Sequence, residues 1–190
     1  MSKTARGAAR QRLLDAAAQR FYADGIAATG IDTITAAAGV AKMTLYNNFA
    51  SKDELVAAYI EARHEEWLTL YRARVETAAT PRDAALAVFD AYLDHAQAAY
   101  PHGFRGCGLL NAAAELPVGA PGRAAVRRHK EDVEAIVAEH LRAADVTDTA
   151  GKAEHLSFLL EGAMSRAGLE SAPDRLIHAR RIAAALLASA

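Results

Sequence analysis

The chain has 190 residues, with 22 Lys and Arg against 23 Asp and Glu and a formal net charge of −1. A chain of this length forms one large domain or two small ones and buries a substantial core. Alanine accounts for 48 residues, whereas glycine and proline number only 12 and 5. Because alanine is the best helix former and the β-branched residues that build sheets are sparse, the composition predicts an all-α fold and argues against all-β and parallel α/β folds.

Composition also restricts the cellular compartment and the kinds of site that we expect in this protein. The single cysteine, Cys107, excludes an internal disulfide and a structural zinc site built from cysteines. No apolar run approaches the roughly 18 residues of a membrane span, and the basic residues 1–12 lack the apolar stretch of a secretory signal. We therefore expect a cytoplasmic protein with no membrane partner.

The charge is unevenly distributed along the chain. Residues 1–52 hold 7 basic and 3 acidic side chains, whereas residues 53–190 hold 15 and 20. An excess of positive charge at one end is typical of a nucleic-acid contact, so the amino-terminal segment is the first candidate for a binding site.

Apolar periodicity and helix-end signals predict about nine helices. Ser51, with Glu54 three residues later, forms a capping box for a long helix. Thr80 and Pro81 provide a cap and a first-turn proline for the next helix, and a break follows at residues 100–103. The predicted helices span residues 4–23, 32–38, 42–48, 51–76, 80–99, 107–116, 122–143, 149–168 and 173–189.

Residues 31–49 show the pattern of two short helices joined by a tight turn. Gly39 can adopt the left-handed conformation that lets a second helix begin almost at once, at a steep angle. Polar side chains and Met43 fall on the outer face of the second helix. The inner seam is apolar and consists of Ile34, Ala38, Val40, Leu45 and Phe49. This division predicts a helix-turn-helix whose donor-rich outer face enters the major groove of DNA.

Residues 21–55 carry a combined string that resembles the TetR family of bacterial transcriptional regulators. The string comprises Phe21-x-x-x-Gly25, Thr33-Ile34, Ala38-Gly39-Val40, Thr44-Leu45-Tyr46-Asn47-Asn48-Phe49 and Ser51-Lys52-Asp53-Glu54-Leu55. Two residues depart from the family pattern. Thr35 stands where alanine is usual, and Ala41 replaces the usual serine cap of the recognition helix, which removes roughly 1 kcal/mol of capping.

The resemblance implies a role for each side chain on the outer face. Residues expected at base edges are Lys42, Met43, Thr44 and Asn47, and residues expected at phosphates are Thr33, Tyr46, Asn48 and Lys52. The alternative interpretation makes Tyr46 a core aromatic and the polar residues a solvated face. For Phe49 we expect the core.

The resemblance also implies a division of the chain into a helix-turn-helix domain at residues 1–53 and a helical effector-binding and dimerisation domain at residues 54–190. The last two helices would form a four-helix bundle across a two-fold axis, so we expect a homodimer on a palindromic operator in double-stranded DNA. A small, mostly apolar effector would bind among the middle helices. Candidate lining residues are Trp67, Tyr71, Phe89, Tyr92, His95, Phe104, Cys107, Asn111, Glu115, Phe158 and Met164.

One segment of this second domain admits two interpretations. Cys107, Asn111 and Glu115 recur every four residues and therefore share one face of a predicted helix. A cysteine at a helix start beside Arg105 could have a lowered pKa and sense oxidants or electrophiles. The alternative is a small buried cysteine, with Asn111 and Glu115 as structural hydrogen-bonding residues.

Other functions find little support in the sequence. The seven histidines form no His-x-x-x-His pair or His/Cys cluster, so we expect no metal and no cofactor. An enzyme using Glu115, His95 and Cys107 would lack a nucleophile–base motif and a Gly-rich phosphate loop, so we expect no enzymatic activity. The predicted function is a ligand-responsive repressor, with redox sensing through Cys107 as the alternative.

Overall fold

The computed structural model describes residues 3–98 and 102–188, with side chains from Gly7 onward, and these ranges contain nine α-helices and no strand. The all-α prediction is confirmed. The predicted helix end at Ala99, the start of the break at Tyr100 and Pro101, and the predicted helix end at Ser189 lie outside the described residues. The helices are α1 Lys3–Asp24, α2 Ile31–Ala38, α3 Lys42–Tyr46, α4 Lys52–Val75, α5 Pro81–Gln97, α6 Gly108–Glu115, α7 Pro121–Ala143, α8 Thr149–Glu170 and α9 Asp174–Ala188.

Local capping interactions determine where two of these helices begin. The Ser51 hydroxyl accepts a hydrogen bond from the Glu54 amide at 3.1 Å, and the Glu54 carboxylate accepts from the Ala50 amide at 2.6 Å. The predicted capping box therefore forms, with the carboxylate bound one residue earlier than in the standard pattern. Thr80 caps α5 by accepting from the Asp83 amide at 3.1 Å.

The described residues fall into two compact units, and α4 and α7 contribute to both. The first unit comprises the described residues within 1–63 and 108–126, together with His102. In its core, α1 packs against α2, α3 and α6. Phe21 meets Tyr59 edge-on, with the ring centroids 5.5 Å apart. Leu13, Ile34 and Leu45 of the same unit are completely buried, and such burial supplies most of the stability of packed helices.

The second unit comprises the described residues within 64–99, 103–107 and 127–190. Here α8 packs along α9, and α9 packs on α5. Phe89, Met164 and Leu176 are buried in its core. Arg180 donates two hydrogen bonds to Asp90, at 2.6 and 2.9 Å, and this bidentate pair joins α9 to α5. The functional division at residue 53 stays a prediction. In the described ranges no helix is long and apolar enough to cross a membrane.

Candidate nucleic-acid interface and buried polar cluster

The turn between α2 and α3 has the geometry that the sequence predicts. Gly39 adopts the left-handed conformation, with φ 63° and ψ 39°. The amides of Gly39 and Val40 donate to the carbonyls of Ala36 and Thr35, at 3.2 and 3.1 Å, and so satisfy the end of α2. Since α2 ends at Ala38 and α3 begins at Lys42, the turn spans only three residues.

The two faces of this helix pair separate as expected. Ile34, Ala38, Leu45 and Phe49 are buried, whereas Val40 is half-buried. The Arg10 guanidinium lies over the Phe49 ring, 4.8 Å from its centroid. On the outer face Thr33, Lys42 and Asn47 are exposed and Thr44 is half-buried. The exposed fractions of Met43 and Tyr46 are 69% and 46%, so neither side chain belongs to the core.

Three of the side chains predicted to contact DNA have partners within the first unit. Lys42 Nζ lies 2.8 Å from Asp32 Oδ1, and this hydrogen-bonded ion pair raises the pKa of Lys42. Lys52 Nζ donates to the Ile26 carbonyl at 2.6 Å, and the Asn48 amide donates to the Thr44 carbonyl at 2.7 Å. A phosphate or base would therefore have to exchange with these interactions or share them.

The two departures from the family pattern have clear local consequences. Ala41 precedes α3 without any side-chain cap, as the sequence predicts. Thr35 is buried, and its hydroxyl donates to the Asp32 carbonyl at 3.1 Å. The hydroxyl that threonine adds relative to alanine is therefore satisfied inside α2.

The second unit brings several of the predicted pocket residues together. Trp67 stacks on Tyr71 with the ring planes 3° apart and the centroids 5.4 Å apart. Its centroid also lies 5.6 Å from that of Tyr92 and 5.5 Å from that of His129. Tyr71 hydrogen-bonds His140, and burial raises the pKa of Tyr71. We use the name aromatic wall for Trp67, Tyr71 and Tyr92, whose rings pack together, with the two tyrosine hydroxyl groups at the edge.

Lys130 on α7 contacts three other side chains, and one of them, Tyr92, belongs to this wall. Its Nζ lies 2.6 Å from Glu161 Oε1, 3.2 Å from Tyr92 Oη and 3.6 Å from Cys107 Sγ. Burial disfavours the ammonium, but the acidic groups of Cys107, Tyr92 and Glu161 outweigh it and raise the pKa of Lys130 well above its ordinary value. We use the name buried polar cluster for His64, Trp67, Tyr92, Cys107, His129, Lys130 and Glu161.

The ammonium of Lys130 fixes the direction of a hydrogen-bonded chain. Because it can only donate to Tyr92 Oη, the Tyr92 hydroxyl is left to donate to His129 Nε2, 3.3 Å away. His129 then carries its proton on Nδ1 and donates to His64 Nδ1 at 2.9 Å. Burial, with the charge of Lys130, lowers the pKa of His129 to about 3, so this histidine is neutral at pH 7.

Two buried polar atoms of the cluster lack a hydrogen-bond partner within the described residues. They are the indole Nε1 of Trp67 and the Oε2 of Glu161. One is a donor and the other an acceptor, so the cluster has unsatisfied capacity of both kinds.

The remaining predicted pocket residues lie elsewhere. Phe89 and Met164 are buried in the core, and His95 packs edge-on against Phe104 with the centroids 6.4 Å apart. Asn111 is half-buried on α6. Glu115, at the end of α6, accepts hydrogen bonds from the amides of Ile26 and Ala27 in the first unit. The side chain of Phe158 is 67% exposed on α8.

Four residues of the cluster are absent from the sequence prediction: His64, His129, Lys130 and Glu161. A signal for two of them was present. His129 and Lys130 lie between Val126 and Val133 at helical spacing, on the stripe of α7 that is otherwise apolar and buried. Polar residues on such a stripe indicate a buried polar network. Among the described residues no group of three or more His, Cys, Asp or Glu side chains is arranged to hold a metal ion.

Comparisons with known proteins agree with the helix-turn-helix. A family model described as bacterial regulatory proteins, tetR family, matches residues 13–59. The crystal structure of a TetR-family transcriptional regulator from Streptomyces coelicolor is 32% identical, with a TM-score of 0.87 over 96% of each chain. The regulatory protein TetR from Rhodobacter sphaeroides is 27% identical, with a TM-score of 0.79 over 92% of this chain and 96% of that one.

A shorter match links the chain to a curated relative. The HTH-type transcriptional activator FasR of Mycolicibacterium smegmatis is 34% identical over 85 residues, which are 45% of this chain and 39% of that protein. The fold and the exposed face of α3 define a helix-turn-helix DNA-binding regulator. The similarity over nearly the whole length of the Streptomyces coelicolor protein identifies the family: the chain belongs to the TetR family of transcriptional regulators.

Proposed function

We propose that this TetR-family protein is a repressor that binds a palindromic operator as a homodimer and is released by a small, mostly apolar effector. The observation that carries the proposal is the outer face of α3, where Met43 and Tyr46 are exposed beside Thr44 and Asn47. Exposing the apolar surface of a methionine and a tyrosine to water is unfavourable in the free protein, and contact with the major groove would cover this surface.

The proposed contacts follow from side-chain chemistry. The Asn47 amide suits adenine, the Met43 and Thr44 methyl groups suit the thymine methyl, and Lys42 suits guanine after it leaves Asp32. Phosphates would be bound by Tyr46, by the Thr33 hydroxyl, by Asn48 and by Lys52.

A footprint on the DNA upstream of the protein's own gene, repeated over a salt series, tests the DNA contact. We expect protection of a palindrome with half-sites about one helical turn apart or slightly more, and an affinity that falls steeply as salt rises. Uniformly weak, salt-sensitive binding with no protected palindrome on any genomic fragment would contradict specific recognition. A reporter gene behind this operator distinguishes repression from activation. Deleting the gene for a repressor increases expression of the reporter, whereas deleting the gene for an activator decreases it.

The homodimer is proposed to form through α8 and α9. These helices leave several large apolar side chains exposed, among them Phe158, Ile177, Ile182 and Leu186. A second copy related by a two-fold axis would cover the same face on both chains. We expect Phe158→Asp to give a monomer in sedimentation equilibrium. Val118→Asp is the matched control, because Val118 is 92% exposed in the other unit and should leave the mass unchanged.

The effector is proposed to bind at the aromatic wall and the buried polar cluster. The wall offers apolar surface to the body of a small molecule, and the unpartnered Trp67 Nε1 and Glu161 Oε2 offer one donor and one acceptor. Binding there would favour a conformer that does not fit the operator, with a coupling of roughly 1–3 kcal/mol. Trp67 is the single tryptophan, so its fluorescence reports compounds that bind beside it.

A second candidate function is redox or electrophile sensing through Cys107. The specific observation in its favour is that Lys130 Nζ lies 3.6 Å from Cys107 Sγ, so a modification of the thiol would directly disturb the buried polar cluster. Burial of the thiol limits its access to reagents. If Cys107→Ser still releases the operator when an effector binds, the thiol is not the switch. If oxidants release only the wild type, it is.

A further inference from the structure

The loop between α1 and α2 is bound from two sides by charged side chains of the first unit. Glu115 accepts hydrogen bonds from two consecutive amides, that of Ile26 at 2.9 Å and that of Ala27 at 2.7 Å, with one carboxylate oxygen for each. Lys52 donates to the Ile26 carbonyl at 2.6 Å. Both polar groups of the Ile26 backbone are therefore held by side chains from other helices.

The loop backbone is shaped to receive a carboxylate. Gly25 has a φ of +94°, and the two following amides point together toward one anionic group, as in the backbone nests that bind phosphates. A Cβ at position 25 would lie 3.0 Å from one oxygen of Glu115 and 3.3 Å from the other. The approach of the carboxylate therefore requires glycine for two separate reasons, its backbone conformation and the space beside it.

This loop leads directly into the DNA-binding helices. The Thr29 hydroxyl donates to the Gly25 carbonyl at 2.6 Å, and the Ile34 amide donates to the Gly30 carbonyl at 3.2 Å. Only three residues separate Ala27 from the start of α2 at Ile31, so a shift of Ile26 and Ala27 would be passed to α2, and α2 is joined to α3 by the turn at Gly39. The carboxylate that fixes the loop comes from α6, 89 residues away from Ile26 in the sequence.

We propose that Glu115 is a positioning residue for operator binding. It touches no DNA itself but holds the α1–α2 loop so that α2 and α3 are presented at the angle the operator requires. The inference rests on the proposed function, because it needs an operator whose affinity can be measured. It assigns Glu115 a role in the DNA-binding unit, which differs from its predicted place in the effector pocket.

Substitutions at Glu115 separate this role from a simple effect of charge. Glu115→Gln keeps the size of the side chain but offers only one acceptor to two amides, and Glu115→Asp keeps the charge but is one methylene too short. Removing a negative charge near DNA by itself would strengthen binding, because the phosphates repel it. A positioning role predicts the opposite sign, with weaker binding for both variants. Glu131→Gln is the control, since Glu131 is an exposed carboxylate of α7 outside the first unit.

We expect both Glu115 variants to bind the footprinted DNA at least about fivefold more weakly, the lower end of typical coupling between sites. The salt dependence should not change, because no phosphate contact is lost. Hydrogen exchange of the Ile26 and Ala27 amides should accelerate about tenfold, the effect of losing one charge-assisted hydrogen bond. The unfolding midpoint should fall by no more than the loss of this one hydrogen bond requires, and the Glu131→Gln control should stay close to the wild type.

Two results would overturn the inference while leaving the proposed function intact. One is unchanged or stronger operator binding by Glu115→Gln. The other is a loss of binding that the unfolded fraction of each Glu115 variant at the assay temperature fully accounts for, which would make the carboxylate a general structural support. If the wild type protects no operator, the proposed function fails first, and the positioning role fails with it.

Discussion

Replacing Lys130 by methionine removes the ammonium at the centre of the buried polar cluster and keeps most of the apolar stem. The substitution leaves the Glu161 carboxylate without a counter-charge, and it deprives Tyr92 of a hydrogen-bond donor. The free energy of unfolding should therefore fall well beyond what a surface lysine would cost.

The structure allows the size of this loss to be estimated. Lys130 Nζ lies 2.6 Å from Glu161 Oε1, and the two side chains are 20% and 32% exposed. Breaking a fully buried pair costs about 3–5 kcal/mol, and the remaining exposure reduces this to about 2–3 kcal/mol for Lys130→Met. Glu161→Gln keeps an acceptor for Lys130 and should cost about 1–2 kcal/mol. The double variant leaves no unpaired charge, so it should cost about 1–2 kcal/mol less than the sum.

Urea unfolding measures these free energies, and the fluorescence of Trp67 follows it from within the cluster. Far-UV circular dichroism is the second probe that tests two-state behaviour. The exposed Arg127–Glu131 pair on α7, 3.4 Å apart, is the matched control, and Arg127→Met should cost less than about 0.5 kcal/mol. The reasoning is refuted if Lys130→Met costs no more than this control, or if the two single changes simply add.

Three further predictions concern pH, backbone conformation and DNA affinity. Burial lowers the pKa of His129 to about 3, so between about pH 3 and 6.5 this imidazole is protonated only in the unfolded chain. The free energy of unfolding should therefore decrease as the pH falls through this range, by up to about 1.4 kcal/mol per pH unit. The urea stability advantage of the wild type over His129→Asn should therefore shrink from pH 7 to 5, and a constant difference would contradict the burial argument. Gly25→Ala should lower the melting temperature more than Gly39→Ala. Both glycines have a positive φ, so alanine costs about 1–2 kcal/mol of backbone strain at either position, but only at Gly25 would the new Cβ lie within 4 Å of other atoms. Equal losses would argue against the close approach of Glu115 to Gly25. Asp32→Asn should strengthen operator binding and steepen its salt dependence in a footprint titration, because it frees Lys42 from an ion pair, and unchanged affinity would argue against a DNA contact by Lys42.

Much of the fold could be predicted because helix ends are encoded locally. The cap at Thr80, the capping box at Ser51 and the left-handed turn at Gly39 all involve residues within five positions of one another. Boundaries therefore agree within two residues wherever they can be compared. The largest differences are α3, which ends at Tyr46, and α8, which continues to Glu170.

The buried polar cluster could not be predicted in the same way, because its members come from α4, α5, α7 and α8 and from the residue before α6. Periodicity shows which face a side chain occupies but not what that face meets. Glu115 illustrates this point: its spacing from Cys107 indicates a shared face, whereas its partners are backbone amides nearly ninety residues earlier. Phe158 is likewise a predicted pocket residue, but its side chain lies on the surface of α8.

The shortness of α6 has a consequence for how such a protein can change. Eight residues make a helix about 12 Å long, little more than two turns, so every residue of α6 lies within about 12 Å of Glu115 along the helix axis. Successive residues differ by about 100° around this axis, so a small rotation of α6 moves the Glu115 carboxylate sideways relative to the amides that it binds. Leu109 and Ala112 are the buried residues that set this rotation. A change in the size of either side chain would therefore loosen the α1–α2 loop without touching Glu115 itself.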